Sequence, residues 1–334
     1  MATPTRPPVR WGILATGRIA RSFADNLREV PGAEIAAVGS RSLESALAFA
    51  KTYGARAHAS YEDLVADPDV DVVYIATPHS FHLDNARMAF DAGKHVLCEK
   101  PLTLNLGEAE AMVAAAREAG RFLMEAMWMA CHPVIRAVVE GVRKGRYGEV
   151  RQAHASIGFP VPPDASARMR DPALGAGALL DMGIYPLTFA HLVLGAADEL
   201  TATAVVNADG VDLDVAIAGR HGTAVSTSSA SMTSAPARTG WVGTSTGRID
   251  VPADFHHPAY ATWTPEGGDP VRIEGLEPVI GTGLGNEAAH VQECLHAGRL
   301  ESPLVPLSQT LTLIRQMDEV RRQIGVSYAS DREG

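Results

Sequence analysis

Cysteine is scarce in this chain: Cys98, Cys131 and Cys294 are the only three, odd in number and widely spaced. No CxxC pair occurs, so neither a disulfide framework nor a zinc ribbon is supported. A cationic excess is also missing. The 29 Lys and Arg against 39 Asp and Glu leave a net charge of −10, which argues against a general nucleic-acid or anionic-membrane surface. The opening MATPTRPPVR has no apolar core and does not read as a signal peptide. The most apolar stretch, residues 177–197, is interrupted by Asp181, Pro186 and His191 and does not read as a membrane span. Internal repeats and low-complexity linkers are absent. What is present is ordinary for a globular chain: 334 residues, 46% hydrophobic and 20% charged, enough for two domains in a reducing, cytoplasmic compartment.

The first part of the chain alternates short β-rich runs with helical spacing. VRWGILAT, AEIAAVGS, VDVVYIAT and KHVLCE read as strands. Residues 18–30 place Ile19, Ala20, Phe23, Leu27 and Val30 at helical intervals. Ser42 can cap a second helix, and Ser60 with Asp63 forms a capping box for a third. Residues 81–92 and 106–119 also read as helices. Strand–helix alternation predicts a doubly wound parallel sheet. Beyond about Arg151 the runs VRQAHASIGF, DELTATAVVNA, DLDVAIAGR, GTAVSTSSASM, ARTGWVGTSTGRIDV and YATWTPEG alternate Thr, Val and Ser between turns. They predict a large, mainly antiparallel open sheet, with helices at 178–194 and within 286–323. The expected organisation is α/β: a dinucleotide-binding domain at 1–128 and an α+β substrate and oligomerisation domain at 129–334. The C-terminal helix is expected to pack back towards the first domain. A sheet face left uncovered predicts a homodimer or homotetramer.

Five places carry chemistry. The first strand runs into Ala15-Thr16-Gly17-Arg18-Ile19-Ala20, which fits G-x-G-x-x-G/A if alanine stands for the first glycine. Small residues there let the backbone approach a pyrophosphate held at a helix N-terminus. The second strand ends Gly39-Ser40-Arg41-Ser42, with no acidic residue for a ribose 2′-hydroxyl. Hydroxyls and a guanidinium suit a 2′-phosphate, so NADP is expected over NAD, the alternative being a solvated Arg41 beside a helix cap. The apolar run ending LCEKPL closes on Glu99 and Lys100, and a lysine there either snorkels out or stands at the mouth of a site. Asp181 and Tyr185, four apart, share one face of a helix. Thr77-Pro78-His79-Ser80-Phe81-His82 follows the third strand; its histidines lack acidic or cysteine partners at ligand spacing, so no metal is expected. His256 and His257 read as a surface pair. Trp128 and Phe159 are equally suited to a core or to a cleft wall.

The segments GILATGRIA, ATPHSFH, CEKPL, GALLDMGIYPL and ESPLVPLSQTLTLIRQMDEVRRQIG, spread over nearly the whole chain, together resemble the Gfo/Idh/MocA oxidoreductases. Tyr185, MEAMW with Trp128, and Phe159 resemble the branch of dihydrodiol dehydrogenases, 1,5-anhydrofructose reductases and glucose–fructose oxidoreductase. The resemblance implies a Rossmann first domain and hydride transfer between a nicotinamide cofactor and a carbinol or carbonyl of a sugar, polyol or cyclic diol. It makes Lys100 the catalytic lysine of EKP, followed by a Lys–Pro bond that is often cis in relatives, and Tyr185 the proton donor or acceptor. Asp181 would then bind a substrate hydroxyl, with Trp128 and Phe159 walling the cleft. The cofactor set it implies is Ala15, Thr16, Gly17, Arg18, Ile19, Ser40, Arg41, Thr77, Pro78, His79, His82, Glu99 and Lys100. His79 would face the substrate and His82 orient its loop. The departures are Ala15, which bears on cofactor affinity, and Cys131-His132, which bears on substrate choice. A nucleotide-sensing protein without turnover is the competing reading; it has no need of Lys100, Asp181 and Tyr185.

Overall fold

The structure, a computed structural model, describes residues 7–162 and 167–332. The chain forms two compact units, one from residues up to 103, 107–131 and 279–310, the other from 104–106, 132–278 and 311 onward.

The first unit is built on six parallel strands: β1 (Val9–Leu14), β2 (Ala33–Gly39), β3 (Arg56–His58), β4 (Val72–Ile75), β5 (His95–Cys98) and β6 (Leu123–Glu125), in the order β3-β2-β1-β4-β5-β6. β4 is buried at every position, the mark of a strand covered on both faces. The connecting helices are α1 (Arg18–Leu27), α2 (Leu43–Tyr53), α3 (Tyr61–Ala66), α4 (His82–Asp91) and α5 (Leu106–Glu118), followed by the short α6 (Trp128–Cys131). Ser42 caps α2 by accepting from Ser45 N, and Ser60 caps α3 by accepting from Asp63 N at 3.0 Å. α1 buries Ala20, Phe23, Ala24 and Leu27, and the Phe23 ring stacks on Tyr74 of β4 at 3.8 Å. The unit is completed by α9 (Leu284–His296), which packs on α1; just ahead of it, Thr282 N donates to Asn26 Oδ1 at 2.7 Å.

The second unit opens with α7 (Pro133–Arg143) and holds an eight-stranded sheet: β7 (Val150–Gly158), β8 (Glu199–Val206), β9 (Asp212–His221), β10 (Ala224–Ser231), β11 (Gly240–Thr244), β12 (Gly247–Val251), β13 (Ala261–Pro265) and β14 (Val271–Ile273). Its order is β14-β13-β12-β11-β7-β10-β9-β8, and every pair is antiparallel except β7 with β10. One face is covered by a helix that begins with a π turn (Leu179–Gly183) and continues as α8 (Ile184–Leu194), packed on β7 and β10. The segment Pro172–Leu194 is long and apolar enough to cross a membrane by composition, but its apolar window is 83% buried within the protein. On the opposite face Thr201, Ala218 and Thr227, paired across β8, β9 and β10, are exposed. The last helix, α10 (Leu307–Ile324), contributes to both units.

Candidate active site

In the first unit the expected cofactor residues gather at the carboxyl ends of β1, β2, β4 and β5, where the winding direction of the sheet reverses between β1 and β4. Ala15 has φ +85, a conformation glycine adopts freely and alanine at a cost of about 1–2 kcal/mol. Its N–H bonds Gly39 O at 3.0 Å, so the turn that a first glycine would make is made by alanine. Gly17 is the N-cap of α1 and supplies no side-chain acceptor, so the first-turn N–H groups keep no capping partner on that residue. A Cβ placed at Gly17 would meet nothing within 4 Å, and Arg18 and Ile19 beside it are exposed. An open helix end without acidic residues in its first turn fits a dinucleotide pyrophosphate. Ser40 is buried, with its Oγ accepting from Ser42 N at 3.3 Å, whereas Arg41 is exposed and its charge acts on the Tyr61 phenol.

The loop after β4 is tied to the EKP turn by one side chain. His82, fully buried, places Nε2 3.0 Å from Thr77 O and Nδ1 3.2 and 3.1 Å from Pro101 O and Leu102 O. Thr77 Oγ1 accepts from Asn85 Nδ2 at 2.9 Å, Pro78 is half-buried, and the His79 ring packs edge-on to His82 at 5.6 Å. The Lys100–Pro101 bond is cis. Glu99 is buried; its carboxylate accepts from the Tyr74 hydroxyl and from Lys100 N. Lys100 itself is half-buried. Below the turn lies Glu125, 1% exposed, which accepts from Leu102 N at 3.0 Å and Thr310 Oγ1 at 2.9 Å. Burial pushes its carboxyl up to about 7, against those two bonds. Trp128, at the start of α6, is half-buried.

Two residues of this unit escape a reading of the sequence. Tyr74 sits in the apolar run VVYI and looks like core, yet its hydroxyl holds Glu99. Glu287 of α9 is wholly buried, and neither of its carboxyl oxygens has a hydrogen-bond partner among the described residues. Burial, then the charge of Glu99, holds that carboxyl well above the ordinary range. Its place beside Glu99, 188 positions earlier by number, has no local signal.

In the second unit the helix start is fixed from two sides. Leu179 N donates to Asp212 Oδ2 at 2.6 Å, and the Tyr328 hydroxyl donates to Ala176 O at 3.1 Å. Gly177 between them has φ +153, and a Cβ there would lie 2.2 Å from Asp212 Oδ1. Only glycine fits that position. Asp181 falls in the π turn, pairs with Arg168 Nη1 at 2.7 Å and is largely buried. Tyr185 follows on α8, 7% exposed, its ring 4.9 Å from that of His256. Pro186 lacks an N–H and its ring would crowd the preceding turn of a regular helix; the wider π turn just before it accommodates both demands, so the helix runs on. His256 and His257 are half-buried, not a solvated surface pair, because Phe255 between the loop and Phe189 draws them inward. Phe159, expected as a cleft wall or core residue, is 37% exposed at the end of β7, its N–H bonded to Ser231 O. Arg168 lies in a short 3-10 turn, Ala167–Met169, and nothing in the sequence marks it as Asp181's partner.

The chemistry available is therefore a phosphate-ready helix end and a lysine-bearing turn in one unit, and a carboxylate and a phenol sharing a helix face in the other. The sequence profile of an oxidoreductase family with an NAD-binding Rossmann fold matches residues 9–127, and that of the GFO/IDH/MocA C-terminal domain matches residues 135–250. The trans-1,2-dihydrobenzene-1,2-diol dehydrogenase of Mus musculus is 35% identical, over 97% of this chain and 99% of its own length. The enzyme of the same name from Xenopus laevis is 34% identical, over 96% and 99%. Among solved structures, a 3-ketoreductase from Actinomadura kijaniata in complex with NADP and TDP-benzene superposes with a TM-score of 0.85 at 28% identity, covering 96% of this chain and 99% of that one. This chain belongs to the Gfo/Idh/MocA family of NAD(P)-binding oxidoreductases.

Proposed function

We propose that the protein is an NADP-dependent oxidoreductase that interconverts a carbinol and a carbonyl on a sugar, polyol or cyclic diol. The observation that carries the reading is the clustering, at the carboxyl edge of one parallel sheet, of an uncapped helix end at Gly17, an exposed Arg41 with no acidic neighbour at the end of β2, and the Glu99–Lys100 turn. The backbone of Ala15, Thr16, Gly17, Arg18 and Ile19 would hold the pyrophosphate. Ser40 and Arg41 would take the 2′-phosphate, which a guanidinium binds bidentately. Thr77, Pro78, His79, His82, Glu99 and Lys100 would line the rest of the cofactor. Bound NADP would supply or accept the hydride.

The proton falls to this chain's own residues. In the oxidation direction the phenol oxygen of Tyr185, as tyrosinate, takes the substrate hydroxyl proton as the C–H pair leaves as hydride; in reduction the phenol returns it. The Lys100 ammonium favours the tyrosinate by its positive charge. Asp181, already anchored by Arg168, orients a substrate hydroxyl. Trp128 and Phe159 shape the apolar side of the substrate site. The relatives named for a dihydrodiol, and the reductase crystallised with NADP, support the substrate class and cofactor. The reading extends to a cytoplasmic homodimer or homotetramer paired through the open face of the second sheet.

A fluorescence titration with NADPH and NADH tests it directly. NADPH is expected to bind more tightly, and Arg41→Ala to weaken it by roughly 10–100-fold while leaving NADH unchanged. With NADPH bound but no turnover across sugars, polyols and diols, the nucleotide-sensing alternative takes its place.

A further inference from the structure

The turn that follows β12 carries a constellation that hydride transfer leaves unused. His257 N donates to Asp254 O at 2.8 Å, closing a tight turn over residues 254–257. Phe255, fully buried, drives edge-on into Phe189 at 5.6 Å, and its N–H bonds Arg238 O at 3.1 Å. With that anchor seated, Asp254, His256 and His257 are left together and half-buried. One ligand atom from each, two imidazole nitrogens and a carboxylate oxygen, all lie within 4.8 Å of one another. The two imidazole rings stand at 87° with centroids 4.4 Å apart. Asp254 takes φ +62, a left-handed conformation that aspartate tolerates better than most non-glycine residues. Behind the pair lies His132, 1% exposed, within electrostatic reach of His257 and with no partner for Nδ1 among the described residues.

We propose that Asp254, His256 and His257 form a binding site for a divalent transition-metal ion of the zinc class. Two imidazoles and one carboxylate are the donor set such borderline ions select, and three protein ligands leave a fourth, tetrahedral position open. The site is not a structural one. Arg238 Nη2 lies 3.1 Å from Asp254 Oδ1, and a metal ion must compete with that cation for the carboxylate. Affinity is therefore set by two opposed charges, which gives the site an unusual signature: removing the carboxylate and removing the guanidinium must act in opposite directions. The ion would sit beside Tyr185, whose ring is 4.9 Å from that of His256. Binding itself does not depend on the redox reading.

The test is a calorimetric titration of the EDTA-washed full chain with Zn²⁺, paired with the visible spectrum of Co²⁺ as a report on coordination. One saturable equivalent is expected, with a tetrahedral cobalt spectrum. His257→Asn and Asp254→Asn should each weaken zinc by more than roughly tenfold. Arg238→Asn, chosen because asparagine tolerates the φ of +56 at that position, should tighten it. Circular dichroism checks each fold, and either ligand variant suffices if the other fails to fold. The proposal is overturned if the wild type shows no saturable site, if neither ligand variant changes the affinity, or if Arg238→Asn weakens it.

Discussion

A single backbone angle at Ala15 shows how much of this site lies below the resolution of a motif. The sequence displays alanine where the glycine fingerprint starts, and read as letters this is a defect. Read as conformation it is not, because Ala15 adopts the positive φ of +85 that the turn needs. The residues whose chemistry was legible are those at the ends of strands: Gly17, Arg41, Thr77, Glu99 and Lys100 all follow apolar runs that end abruptly. Those that were not, Tyr74, Glu287, Arg168 and His256, acquire their role from a neighbour far away in the chain. Two predictions belong at this scale. Lys100→Met should lower turnover by at least about 100-fold, far more than it weakens NADPH binding, since the main loss is of proton handling; full turnover in that variant would remove Lys100 from the mechanism. Glu125 governs a pH effect. Its carboxyl is raised from 4.5 to about 7 by burial, so its stabilising contribution is complete below pH 4.5 and is lost as pH rises towards 7, by about 3 kcal/mol in all. Glu125→Gln keeps an acceptor oxygen for Leu102 N and can donate its amide N–H to the Thr310 hydroxyl, and it should flatten that part of a urea-denaturation profile against pH.

Among the elements, periodicity and caps served well where helices and strands were long. The serines at 42 and 60 cap the helices that their spacing announced. The three-residue strands β3, β6 and β14 were too short to show a period, and the parallel pairing of β7 with β10 is a matter of which strand lies beside which, on which alternation is silent. The helix bearing Asp181 and Tyr185 is the element whose geometry was least legible. Pro186 stands where a regular helix would kink, and a π turn before it absorbs the proline and leaves the helix continuous. That helix depends on Gly177. Gly177→Ala forces a Cβ against Asp212 Oδ1, whose carboxyl, raised to about 6 by burial, also caps Leu179. A loss of at least ~2 kcal/mol in thermal unfolding is expected, together with reduced turnover as Asp181 and Tyr185 shift. An unchanged melting curve would show that the helix start tolerates the clash.

For the molecule as a whole, composition and strand order sufficed to define the class: an α/β chain with a parallel sheet followed by a large, mostly antiparallel one. The second sheet keeps one face open, with Thr201, Thr203, Val205, Ala216, Ala218, Val225 and Thr227 exposed on β8, β9 and β10. These are small or β-branched and uncharged, a flat surface suited to another copy of itself. Light scattering at micromolar concentration is expected to give a dimer or tetramer, and Ala218→Glu, which sets a charge in the middle of that face, to give a monomer. The interleaving of the two units has a consequence for synthesis. The first unit takes α9 and the 279–310 segment from far downstream, including the bridge between Leu123 and Glu301. An N-terminal fragment ending near residue 131 would therefore emerge from the ribosome with the outer face of α1 bare and the edge at β6 unfinished. The packing of the nucleotide-binding unit is therefore completed only after residues 279–310 have been synthesised.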